Sequence, residues 1–326
     1  MKKLFRLGII FLIVLLFILY FPDSVFSSGI ATTTGNFLKM NIGTRACGMG
    51  EAFCGLADDV SAMHWNPAGL GFIFNPELET MHTFWLGNIS HEFLGYVQPI
   101  SRGSLGTNVS YLHMEKMDKI RRGTVEGKFT VYDIYGGLAY GFPVSESFCL
   151  GLNLMALQSK IDRDTAYGFS SDVGIMISNS NRTFSFGLAG QNLGTALRGD
   201  NLPINIKAGL ACRIKFPRER VALSITLDAN KPLEGDYNFS LGIEHILLDT
   251  FAVRVGYKYD LEKNGLSNLA GLRVGAGLNW RGVITNYAWV PYDSLGTTHN
   301  VSLGYRFGKA GRLPTVKLML QADPGV

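Results

Sequence analysis

Charge is scarce in this sequence. Asp, Glu, Lys and Arg supply 17 % of its 326 residues, against roughly 25 % in an average soluble chain. The formal net charge of +4 is too small to argue for a nucleic-acid partner. Cysteine is limited to Cys47, Cys54, Cys149 and Cys212, with no C-x2-C spacing. The histidines (His64, His82, His91, His113, His245 and His299) are scattered and form no H-x3-H pair. Neither a metal centre nor another cofactor is expected. There is no G-x-S-x-G and no evident nucleophile beside a base, so an enzyme is not expected. After residue 75 no long apolar run occurs.

One such run stands at the start. Lys2, Lys3 and Arg6 precede an apolar stretch from Leu7 to Phe21, and Val25-Phe26-Ser27 suits cleavage. The stretch is shorter than the roughly 18 residues of a spanning helix. Residues 1–27 therefore read as a secretory leader. No cysteine follows closely, which argues against a lipid anchor. Removing Lys2, Lys3, Arg6 and Asp23, a net +2, leaves the mature chain near +2. In an oxidising envelope Cys47 and Cys54 are near enough in sequence to bridge. Cys149 and Cys212 fall on opposite faces of their strands. Burial as small hydrophobes is the favoured reading for all four.

Glycine and aromatics are plentiful, with 39 Gly, 21 Phe and 13 Tyr. From residue 78 the chain falls into short alternating segments. Val301, Leu303, Tyr305 and Phe307 alternate with Asn300, Ser302, Gly304 and Arg306. Leu272, Val274, Ala276, Leu278 and Trp280 do the same, as do Phe251 to Tyr259 and Tyr237 to Ile243. A period of two gives one apolar face and one small or polar face. About fourteen such segments are expected, at 78–87, 91–100, 103–114, 128–141, 147–160, 166–178, 182–192, 203–214, 219–229, 236–247, 251–260, 269–280, 283–291 and 298–308.

The even-numbered connections are short, such as Ser101-Arg102 and Arg281-Gly282. The odd-numbered ones (115–127, 161–165, 193–202, 230–235, 261–268, 292–297) are longer, with 88–90 as an exception. That alternation is the one outer-membrane barrels show between inner turns and outer loops. A soluble sandwich or propeller would carry charge on its exposed face. Here the non-apolar face is mostly Gly, Ser and Asn, and Tyr237, Trp280, Trp289 and Tyr305 cluster toward strand ends as interface girdles would. The fold expected is all-β: a transmembrane antiparallel barrel of about 14 strands, residues 76–308, in a bacterial outer membrane. A tail, 309–326, would lie on the periplasmic side.

Residues 28–75 do not alternate. They hold Gly43-Thr44-Arg45-Ala46-Cys47-Gly48-Met49-Gly50-Glu51-Ala52-Phe53 and then Ala57-Asp58-Asp59, Trp65-Asn66-Pro67-Ala68-Gly69-Leu70. Close glycines permit backbone-to-backbone packing. Asp59 and Ser61 are candidate N-caps for one short helical turn. Pro67 biases Asn66 toward extended backbone. Such a ball of turns needs a container, so a plug inside the lumen is expected.

This run resembles the plug of the FadL-like outer-membrane proteins, in particular the PorV/PorQ branch with its G-x-R-A-x-G-M-G-x-A-F, A-D-D and W-N-P-A-G-L pattern. Thr44, Glu51 and the two cysteines depart from that pattern. The resemblance implies a fourteen-stranded barrel with an N-terminal hatch. Relatives of this kind pass hydrophobic small molecules such as fatty acids. Others serve a secretion system, accepting exported proteins at the cell surface. The first role predicts an apolar pocket above the plug, bounded by the outer loops. The second predicts an apolar loop surface and partner chains. A purely structural barrel is a third reading.

Gly43, Arg45, Gly48, Met49, Gly50, Asp58, Asp59, Trp65, Asn66, Pro67, Ala68 and Gly69 form the candidate plug motif. Arg45 is expected to pair with Asp58 or Asp59 rather than to meet a ligand, because an unpaired buried charge is costly. Inward Lys207, Arg213, Arg254, Lys258, Arg273 and Arg306 outnumber inward Asp133, Asp172, Asp228 and Glu244. They read first as ion pairs between wall and plug, and second as an attraction for a carboxylate head group.

Overall fold

The computed structural model describes residues 34–261 and 268–308. The expected leader, the start of the expected plug and the expected tail fall on residues 1–33 and 309–326, outside the described residues.

Fourteen antiparallel strands close into a barrel. In chain order they are β1 (Glu77–Phe84), β2 (Ile89–Ile100), β3 (Gly103–Met114), β6 (Val131–Ser145), β7 (Phe148–Ile161), β8 (Asp164–Ser178), β9 (Phe184–Gly194), β10 (Asn205–Phe216), β11 (Val221–Pro232), β12 (Asn238–Leu247), β13 (Phe251–Asp260), β14 (Leu272–Trp280), β15 (Val283–Pro291) and β16 (Thr297–Arg306). The ring closes between β1 and β16, with Glu77 opposite Arg306 and Phe84 opposite His299. β4 (Met117–Arg121) and β5 (Thr124–Phe129) form a separate hairpin in the loop after β3. Alternation did not predict that hairpin, because it is exposed on both faces.

Each expected strand has its counterpart, displaced by a few residues at most. The loop lengths follow the expected alternation with two exceptions. β1 and β2 are joined by 85–88, and β7 and β8 by Asp162-Arg163 alone. The second corrects the longer loop expected at 161–165. Asp162 takes φ 55, and the left-handed backbone that Asp tolerates allows a tight turn there.

The alternation sorts side chains by face. Leu138, Leu154, Val253, Leu303 and Trp280 stand exposed on the outside. The buried core lies in the lumen and includes Phe37, Ile42, Met49, Phe53, Met63, Trp65 and Leu70, all from the segment before β1. An eight-stranded barrel can be filled by its own wall side chains, but fourteen strands leave a lumen. Here the chain from Thr34 to Pro76 fills it. It holds α1 (Thr44–Gly48), α2 (Ala62–Trp65) and a 3-10 helix, Pro67–Phe72.

Candidate functional site

The lumen segment runs from one end of the barrel to the other. At the long-loop end the Thr34 amide donates to Asn201 O (3.2 Å), and its hydroxyl donates to Leu197 O (2.5 Å). At the short-turn end the Phe307 amide donates to Pro76 O (2.9 Å). The space expected to be an open apolar pocket under the long loops is occupied. Phe37 and Leu38 are buried there, with the Phe37 ring 6.3 Å from Tyr135.

Arg45 is the hub. Its Nε and Nη2 donate to both oxygens of Glu244 (2.7 Å each), and Nη1 donates to Asp58 (2.7 Å) and Asp59 (3.1 Å). Glu244 on β12 is fully buried and also accepts from Arg254 (2.8 Å). The other Asp58 oxygen pairs with Arg213 on β10. Fork-to-carboxylate geometry fixes orientation as well as energy. Burial alone would raise the Asp58 carboxyl, but Arg213 and Arg45 outweigh it and hold it below the usual carboxylate range. The sequence put Asp58 and Asp59 beside Arg45. It gave no sign that Glu244, 199 residues away, grips the same guanidinium.

Glu51 is the second anchor. It has φ 68, the left-handed region. Its carboxylate meets Lys258 (2.8 Å) and Asn41 (2.6 Å), with Arg273 at 4.0 Å. Burial works against that charge, yet Lys258 and Arg273 hold it down at about 2. Of the remaining inward cations, Arg306 pairs with Glu77 (2.6 Å), and Lys207 lies 4.2 Å over the Trp65 ring.

The rest of the motif is fitted by shape. Trp65 is buried and donates from Nε1 to Ile42 O (2.7 Å). Asn66 is extended (φ −163) before Pro67. Its amide donates to Cys54 O and Ile175 O (3.1 Å each) and accepts from the Ala68 amide (3.1 Å). Ser61 occupies the N-cap of α2 but makes no side-chain cap bond. Instead its hydroxyl and amide both donate to Asp59 Oδ1 (2.6 and 3.0 Å), so the expected capping becomes a local turn. Cys47 and Cys54 are both free and fully buried, which raises both thiols.

Wall glycines lie where the plug backbone touches. A Cβ on Gly151 would stand 2.0 Å from the Ala68 amide nitrogen, and one on Gly174 2.1 Å from Asn66 Oδ1. On Gly187 it would meet Cys54 O at 2.1 Å, and on Gly256 the Gly50 nitrogen at 2.0 Å. On Gly69, within the plug, it would meet Ala57 O at 1.9 Å. The abundance of glycine on the inward face is thus a fit to the plug, which the alternation alone did not reveal.

A cavity of about 190 Å³ lies at the short-turn end, below the plug, lined among others by Leu56, Phe72, Phe74, Met176, Arg182 and Arg213. Neither Arg182 nor the cavity carried a sequence signal. Among the described residues no group of three or more His, Cys, Asp and Glu is placed to hold a metal.

The same fold occurs in proteins of known structure. The toluene transporter TodX of Pseudomonas putida aligns over 82 % of this chain and 98 % of its own, with 10 % identity and a TM-score of 0.59. The toluene transporter TbuX of Ralstonia pickettii aligns over 82 % and 99 %, with 11 % identity and a TM-score of 0.57. A FadL homologue of Pseudomonas aeruginosa aligns over 81 % and 98 %, with 12 % identity and a TM-score of 0.51. At such identities the likeness is one of fold, and the barrel is FadL-like. No curated protein sequence matches the chain. Residues 28–213 match the profile described as "Uncharacterised protein family (UPF0164)", more than half of the sequence, and the chain belongs to that family.

Proposed function

We propose that this protein spans a bacterial outer membrane and binds hydrophobic small molecules or passes them inward, with residues 34–76 as the gate. The observation that carries the reading is a closed fourteen-strand wall, apolar outside, whose lumen is filled by a separate segment rather than by wall side chains. In hydrocarbon only a closed sheet satisfies every backbone group. The short turns would face the periplasm and the long loops the exterior. TodX and TbuX are described as toluene transporters, which supports an apolar cargo. No catalytic role is assigned. Because Phe37 and Leu38 fill the space under the long loops, cargo would have to displace them to enter.

A second reading, a secretion component like the PorV/PorQ branch, draws on one feature. The β4–β5 hairpin presents Ile120 and Val125, 67 % and 57 % exposed and directly opposite each other, at the long-loop end. A lone hairpin is marginal in water and gains from a partner.

The test is reconstitution. The mature chain refolded in detergent should show heat-modifiable mobility, and in liposomes it should accelerate uptake of radiolabelled toluene or a fatty acid over empty vesicles. A folded barrel with no uptake, recovered from native membranes with a protein bound to its loops, would favour secretion. A chain that stays soluble without detergent would overturn both.

A further inference from the structure

The cavity below the plug holds one cation more than its partners account for. Three guanidiniums line it, Arg182, Arg213 and Arg306, against two carboxylates, Asp58 and Glu77. Arg213 is matched to Asp58, and Arg306 to Glu77. Arg182, on the turn between β8 and β9, has no carboxylate partner among the described residues. One of its donors goes to Phe72 O (3.0 Å). A guanidinium has five N–H donors in a fixed fork, so most of this fork is uncommitted. The rings of Phe72 and Phe74 lie 4.3 and 4.7 Å from its carbon, holding it in place and screening one side from water. Leu56, Met176 and Ala211 supply further apolar lining.

We propose that this cavity is a binding site for a small organic carboxylate, with the head on the free edge of Arg182 and the body against Phe72, Phe74 and Met176. At about 190 Å³ the space is below the roughly 300–1,000 Å³ of drug-sized sites. It suits a single-ring or short branched acid and excludes a long chain lying wholly within it. A carboxylate brings the one negative charge that evens the cavity's count, and its two oxygens match the guanidinium fork. The site lies where cargo would leave the lumen, so the proposal rests on the passage reading and adds selection by charge at the exit.

The test compares 4-fluorobenzoate with the neutral 4-fluorobenzyl alcohol, read by fluorine NMR titration of the refolded barrel in uncharged detergent. The wild type should bind the acid about ten-fold more tightly, the worth of one charge-assisted pair. Arg182→Gln should erase that preference while leaving binding of the alcohol unchanged, and Arg182→Lys should retain part of it. Ala211→Phe, which puts bulk into the cavity from β10 and leaves the Arg182 side chain in the sequence, should abolish both. Heat-modifiable mobility checks that each variant is folded; should Arg182→Gln not fold, the Arg182→Lys and Ala211→Phe variants carry the test. Equal affinity for acid and alcohol in the wild type, or a preference that survives Arg182→Gln, overturns the site. If toluene still enters liposomes, that result leaves the passage reading standing. If toluene uptake also fails, both are lost.

Discussion

The fit between wall glycines and plug makes a prediction that separates the two parts. Replace Gly151 with Ala. Its Cβ would lie 2.0 Å from the Ala68 nitrogen and 2.1 Å from the Pro67 carbonyl carbon, where ordinary contact begins near 3.4 Å. The obstacles are backbone atoms, so no side chain can swing away. The plug must retreat by about 3.4 − 2.0 = 1.4 Å, or the strand must bow. Overpacking of this kind costs about 1–3 kcal/mol. The wall itself should not suffer, since Gly→Ala in a strand tends to favour the folded chain. Hydrogen exchange read by mass spectrometry over residues 43–70 should therefore quicken roughly 5- to 150-fold, the equivalent of that cost, while strand peptides keep their rates. Gly136→Ala is the control. It faces outward on β6, and its Cβ would meet nothing nearer than Asn108 O at 4.0 Å. If Gly151→Ala and Gly136→Ala exchange alike over 43–70, the docking described here is wrong.

Three further outcomes follow. Arg45→Met leaves the fully buried Glu244 with Arg254 as its one cation and Asp59 without its ion pair, so the plug should lose about 3–5 kcal/mol, seen as exchange or protease cleavage within 43–70 at denaturant levels that leave the barrel closed. Acid should release the plug in two stages. Burial, then the Lys207 charge, lowers His64 to about 3, so below the ordinary pH 6.5 the released plug takes up a proton that the docked plug refuses. Glu51 and Asp58 are depressed in the docked state, so their contribution is full above about pH 4.5 and is lost as pH falls toward 2; protection factors over 43–70, corrected for the intrinsic pH dependence of amide exchange, that are flat from pH 7 to 3 would contradict this. Cys47 and Cys54, buried with raised thiols, should resist maleimide in the folded barrel and react after heat denaturation, with mass spectrometry counting the adducts.

The sequence by itself determined the number of barrel strands and the face of each. These rest on local physics. A period of two assigns faces residue by residue, and turn residues punctuate it. A Gly-rich, non-alternating stretch cannot join such a sheet. The same locality let Asp58 and Asp59 be placed near Arg45, and let Pro67 set Asn66.

What only the tertiary structure decided depends on which distant residues share a height in the barrel. Strand stagger brings Glu244 to Arg45 and Lys258 to Glu51, neither of which is readable from spacing. Alternation shows that Gly151 and Gly174 face inward, but not that plug backbone lies against them. It set six inward basic residues against four inward carboxylates, but Glu77 and Glu79 on β1 also face the lumen and even that count; nor does it show that Arg182, on a turn, has no carboxylate partner among the described residues. A barrel wall is written strand by strand in the chain, whereas the contents of its lumen are settled by closure, which sets every strand's height against one segment at once.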